Sequence, residues 1–231
     1  DDAKEALDIG IAIMNELEDI IHAKFPELPI NIGDEGGFAL DTDDVELPLG
    51  LLVDAAERTG NGSKIKLALD VAASSFFKDG KYIVGEKALL ADELTAVYKK
   101  IISKYPIISI EDPFYEEAFG DFAKLNDGKI LVIGDDLTTT NKERLMEAIN
   151  KKSVSGFTLN PNQVGTLSET IDTMKFARAN GMECIVSHRS GETKDDFIAD
   201  LAYAFGAFGL KSGAPRQEER MAKYNRLLTL S

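Results

Sequence analysis

Three short apolar runs in this chain each end in acid. Leu67-Ala68-Leu69 leads into Asp70, Ile107-Ile108-Ser109-Ile110 into Glu111 and Asp112, and Ile130-Leu131-Val132-Ile133-Gly134 into Asp135 and Asp136. A single acid at a strand end is ordinarily a solvated loop residue. Three successive strands ending alike would gather their carboxylates if the strand ends meet. Converging carboxylates repel one another unless a cation lies among them. Hard oxygen donors suit a divalent ion such as magnesium. Asp70, Glu111 and Asp135 are therefore the candidate metal ligands, with Asp112 and Asp136 in supporting positions.

Two further groups follow apolar runs. Ser187-His188-Arg189-Ser190-Gly191-Glu192-Thr193 comes directly after Cys184-Ile185-Val186. An arginine, hydroxyls, a glycine-freed backbone and the start of a helix are the ingredients of a phosphate site. His188 could donate to an anionic substrate there. A histidine taken alone is more often structural, and its place beside Arg189 shifts that balance. Leu210-Lys211-Ser212-Gly213 sends a lysine out of another strand, where the bland alternative is a surface lysine. His22 reads as a helix-surface residue and Cys184 as a small core residue.

The elements that must position these residues follow from periodicity. Leu7, Ile11, Met14, Leu17 and Ile21 form one apolar stripe at helical spacing, ending near Phe25-Pro26. A glycine-rich loop over 31–40 holds Asp34 and Glu35. A second helix is expected over 46–58, with Pro48 in its first turn. Gly60 and Gly62 end it.

From Lys64 the chain alternates. A strand is expected over 64–71, then a hairpin over 77–82 turning at Asp79-Gly80. A helix carrying Leu94, Val97, Ile101 and Tyr105 precedes the strand at Ile107. A helix with Phe119 and Phe122 precedes the strand at Ile130. Thr140-Asn141-Lys142-Glu143 reads as a capping box opening the next helix. A strand over 154–159 follows. Thr166-Leu167-Ser168-Glu169 is a second capping box, whose helix ends at Gly181. Then come a strand over 183–187, a helix around Phe197, Leu201 and Phe205, a short strand centred on Leu210, and a polar helix from Gln217.

Two helices followed by six strand–helix units predict an α/β fold with a parallel sheet and right-handed crossovers. The class is TIM-barrel-like and incomplete, two strands short of the usual eight, in a single domain over 1–231. Open sheet edges would require cover.

Composition narrows the function classes. The 231 residues are 44% hydrophobic, enough for one domain with a full core. Acids outnumber bases 40 to 26, for a formal net charge of −14, which argues against a nucleic-acid partner. One cysteine permits no internal disulfide and fits a reducing, cytoplasmic setting. No apolar run of membrane-spanning length is present, so no membrane partner is expected. The chain opens on Asp1 and shows no signal peptide; it reads as a piece of something longer.

The motifs N-I-G-D-E-G-G-F-A, L-A-L-D-V-A-A-S-S-F, I-I-S-I-E-D-P-F, V-I-G-D-D-L-T-T-T-N, N-Q-V-G-T-L-S-E-T, V-S-H-R-S-G-E-T-K-D-D and L-K-S-G-A-P are similar to those of enolase. They occur in enolase order over nearly the whole chain. The resemblance implies a magnesium-dependent lyase interconverting 2-phosphoglycerate and phosphoenolpyruvate, a small phosphorylated carboxylate. Asp70, Glu111 and Asp135 then resemble the magnesium ligands, and Glu35 the acid that helps expel hydroxide. His188, Arg189 and Ser190 resemble substrate-binding residues, and Lys211 the second active-site lysine.

Two departures accompany it. Asn160 stands where the family has its base lysine, and an amide takes up no proton at neutral pH. The family's N-terminal part, including a capping domain and the first two barrel strands, has no counterpart here. A homo-oligomer or a complementing N-terminal enolase chain is expected at the open edges. The alternative is a catalytically inactive enolase-like protein that binds metal or phosphate or serves in assembly.

Overall fold

The computed structural model describes residues 3–27 and 30–230. Helix α1 (Ala3–Lys24) leads to strands β1 (Asn31–Ile32) and β2 (Phe38–Ala39), then to α2 (Leu47–Arg58) and β3 (Leu67–Asp70). Strands β4 (Phe77–Lys78), β5 (Lys81–Val84) and β6 (Lys87–Leu89) precede α3 (Ala91–Lys104). Then follow β7 (Ile107–Glu111), α4 (Phe119–Leu125), β8 (Leu131–Gly134), α5 (Lys142–Asn150) and β9 (Gly156–Leu159). The chain finishes with α6 (Pro161–Val164), α7 (Leu167–Ala179), β10 (Glu183–Ser187), α8 (Phe197–Phe205), β11 (Gly209–Lys211) and α9 (Glu218–Leu230). Two helices and then six strand–helix units is the expected order.

The principal sheet has six strands in the order β3-β7-β8-β9-β10-β11, which is chain order. Neighbouring strands from β3 through β10 pair in parallel. Monotonic order distinguishes this sheet from a doubly wound one, where the order reverses at a switch point. Right-handed crossovers that always step the same way put their helices on one face, the arrangement of a barrel wall.

The chain forms two compact units. One comprises Asp1–Ile65, Ser187–Gly206 and Leu210–Ser231, the other Lys66–Val186 and Ala207–Gly209. In the first, Ile20, Ile21, Leu51 and Ala55 form a small apolar core between α1 and α2. Its glycine-rich loop is partly strand: β1 and β2 pair antiparallel, with Gly33 N donating to Gly37 O at 2.8 Å and Gly36 at a φ of 84°. The loop expected at 31–40 is thus a hairpin, too short and polar to show strand alternation in sequence.

In the second unit, Phe114 lies at the centre of the core, edge-on to Tyr82, Tyr98 and Phe122. The hairpin turn has Asp79 and Gly80 at φ of 50° and 79°, as its Asp-Gly pair requires. It gains a third antiparallel strand, β6. The helix cap after β8 differs from the expected capping box by one residue. Asn141 is the cap, its Oδ1 accepting from Glu143 N and Arg144 N at 2.9 and 3.1 Å, while Thr140 is held in the left-handed region at φ 54°. The second box is as expected, with Thr166 Oγ1 accepting from Glu169 N at 3.3 Å.

Gly156 opens β9 where no side chain fits. A Cβ there would lie 2.7 Å from Ile133 Cδ1 and 2.9 Å from Glu183 O. Gly156→Ala should therefore destabilise the protein by about 1–3 kcal/mol, the usual range for overpacking. Urea unfolding followed by circular dichroism checks it; a midpoint unchanged from the parent would contradict this packing.

Candidate functional site

In the second unit, the three expected acids end three neighbouring strands. Asp70 is the register partner of Glu111 across β3 and β7, and Glu111 pairs with Ile133 on β8, two residues before Asp135. Glu111 is buried, Asp135 half-buried and Asp70 exposed. Among the described residues, no group of three or more His, Cys, Asp or Glu side chains is gathered to hold a metal ion. Sequence order and sheet register bring the acids to adjacent strand ends, but their side chains do not form a cage.

Asp112 has a different task from its neighbour. Its φ of 41° is left-handed, and its carboxylate accepts from Asp135 N at 3.0 Å and Asp136 N at 2.6 Å. It splints the exit of β7 to the exit of β8. Burial pushes its carboxyl well above the usual carboxylate range, against those two backbone bonds.

Asn160, at the end of β9, is fully buried. Its backbone N donates to Thr140 Oγ1 at 2.9 Å, and its Nδ2 donates to Asp135 Oδ1 at 2.9 Å. Turning the amide over would set oxygen against a carboxylate, so Asp135 fixes its orientation. Asn160 Oδ1 is then a buried oxygen with no hydrogen-bond partner among the described residues. The three carboxylates at adjacent strand ends and the Asn160 amide oxygen beside Asp135 are not gathered about one point, but all are oxygen donors. Their chemistry fits a hard divalent cation.

The first unit holds the other expected residues. His188 is buried, Glu35 half-buried, Lys211 half-buried, and Arg189 and Ser190 are exposed. His188 N donates to Lys211 O at 2.9 Å, tying the two strand exits together. His188 Nε2 lies 3.2 Å from Glu35 Oε2. That distance permits an ion pair, but the approach lacks hydrogen-bond direction, and Nε2 has no hydrogen-bonded partner among the described residues. Gly213 permits this crowding: a Cβ there would stand 2.6 Å from Glu35 O and 3.1 Å from His188 Cε1.

Sequence reasoning missed what holds these loops. Helix α9 buries two charged side chains, Arg220 and Lys223, three residues apart. Arg220 Nη1 meets His188 Nδ1 at 2.6 Å and donates to Arg189 O at 2.8 Å. Its Nη2 donates to Asp34 O and Ser190 O at 2.9 and 2.8 Å, and Nε reaches Gln217 Oε1 at 3.4 Å. Five N–H groups meet five neutral acceptors. Lys223 Nζ binds Glu192 Oε2 at 2.6 Å and Thr193 O at 2.5 Å. The sequence offered no signal for them, since charged residues on a polar helix ordinarily face solvent.

Strand order and the placement of acids at strand ends define a barrel-type α/β protein, a class that keeps its chemistry at those ends. Comparison refines the class. The family model for "Enolase, C-terminal TIM barrel domain" matches residues 1–231. The chain belongs to that family. It is 44% identical over 227 residues to the enolase of Methanocaldococcus jannaschii, covering 98% of this chain and 54% of that protein. It is 45% identical over 230 residues to the enolase of Elusimicrobium minutum and 42% over 231 residues to that of Aeropyrum pernix, with the same coverages of 98% and 54%. The chain thus spans about half the length of the curated relatives it matches. No helix among the described residues is long and apolar enough to cross a membrane.

Two tests follow from these contacts. Asp112→Asn turns an NH₂ toward one of two backbone donors and should destabilise the protein by about 1–3 kcal/mol, measured by urea unfolding at neutral pH. For Glu192, burial raises the carboxyl pKa, but the bonds from Lys223, Arg189 N and Thr193 N outweigh it, and the net shift is down. Its folded value is below its unfolded one, so its contribution is complete above the ordinary carboxylate pKa and lost as pH falls through the folded value. Glu192→Gln should therefore narrow the stability gap between parent and variant on acidification below pH ~4.5. A gap independent of pH would contradict the assignment.

Proposed function

We propose that this chain carries the catalytic residues of an enolase-type lyase, acting with magnesium on 2-phosphoglycerate and phosphoenolpyruvate. The observation that carries the reading is the ending of three neighbouring strands in Asp70, Glu111 and Asp135. These three residues would hold magnesium. When bound, the ion supplies positive charge against the ene-diolate that forms on proton removal beside a carboxylate.

The remaining steps belong to this chain's own side chains. Arg189, with its planar fork of donors, would take the phosphate, with Ser190 as a hydroxyl partner. His188 would present an N–H to an anionic oxygen. Glu35 would act as the acid, passing a proton to the leaving hydroxyl, which departs as water. Lys211 would add fixed positive charge near the carboxylate. Proton removal is the weak step, because Asn160 cannot accept a proton. Loss of a general base typically lowers rate about 10²–10⁴-fold.

A second reading, a non-catalytic enolase-like protein, is favoured by one observation: the Asn160 amide already donates to Asp135 and is fully buried. The assay follows phosphoenolpyruvate absorbance with magnesium, for the chain alone and with a complementing N-terminal enolase chain. The lyase reading expects slow turnover, raised about 10²–10⁴-fold in Asn160→Lys. No turnover from parent or variant in either format rejects it. Calorimetry with magnesium alone then separates a cation-binding relic from a protein without the site, and light scattering reports whether copies associate.

A further inference from the structure

We infer that Arg220 is a positioning residue that fixes His188 as the tautomer carrying its proton on Nε2, so that the buried ring offers one N–H beside Glu35. The inference rests on the substrate-binding role proposed for His188 and assigns the group that makes that role possible. A guanidinium has five donors and no acceptor. At 2.6 Å from Arg220 Nη1, His188 Nδ1 must therefore supply a lone pair. A neutral imidazole with an unprotonated Nδ1 carries its hydrogen on Nε2. That nitrogen lies 3.2 Å from Glu35 Oε2 but has no hydrogen-bonded partner among the described residues. A buried donor left unsatisfied is costly, and an anionic oxygen brought to it removes the cost. The ring is thus set to receive an oxyanion.

Arg220 cannot easily turn away. Its other four N–H groups are bound to Arg189 O, Asp34 O, Ser190 O and Gln217 Oε1. Doubly protonated imidazole would put N–H against N–H and cation against cation at the Nδ1 contact. Accordingly, burial lowers the His188 pKa; Glu35 and Glu192 oppose this, and Arg220 and Lys211 add to it.

Nitrogen NMR of the ring tests the inference without any turnover. The chain has two histidines, and His22→Gln leaves His188 as the sole signal. At neutral pH the expected spectrum shows Nδ1 unprotonated and Nε2 protonated, with a titration midpoint below the ordinary imidazole value. Arg220→Met should yield a mixture of tautomers and raise the His188 midpoint, while Glu35→Gln should leave the tautomer in place. Nδ1–H in the parent overturns the inference, as does an unchanged tautomer in Arg220→Met or a Glu35→Gln spectrum that shifts as far. If Arg220→Met does not fold, the parent and Glu35→Gln spectra still decide. An inactive chain with the Nε2–H tautomer rejects the lyase reading alone; an active chain with Nδ1–H rejects this inference alone.

Discussion

A guanidinium taken out of water must find a partner for every hydrogen, and Arg220 does so with neutral groups only. Four of its five acceptors belong to the loops at Asp34, Arg189 and Ser190 and to the His188 ring. Those loops come from distant parts of the sequence and present polar residues and backbone carbonyls at the contact. Their relative placement within the unit depends on one rigid, planar fork. Replacement by lysine would keep the charge and lose the geometry.

The second unit solves a similar problem with a buried acid. There the buried group is a carboxylate, Asp112, and the donors are the backbone N–H groups of Asp135 and Asp136. In both units a buried ionisable side chain anchors backbone rather than facing a counter-ion. Backbone partners cannot move by rotamer change, so loop exits held this way are defined before any ligand arrives.

The sheet was legible in the sequence because buried parallel strands are short continuous apolar runs, and each helix between them has its own stripe or cap. The acids at Asp70, Glu111 and Asp135 were legible for the same reason: they punctuate those runs. What the sequence concealed is whatever depends on a partner distant in the chain. Glycine-rich residues 31–40 do not announce a hairpin. Thr140 resembles a cap but bonds Asn160 N instead, because a tertiary partner outcompetes the local one. Arg220 and Lys223 read as solvated positions on a polar helix, since charged residues are seldom fully buried. Only their acceptors reveal them.

Asp112 and Thr140 share a further trait: both occupy the left-handed region, at φ 41° and 54°, at strand exits where glycine would sit at ease. Each spends its side chain on a bond that glycine could not make. Natural variation toward glycine at these two positions would thus relax the chain and loosen the rim together.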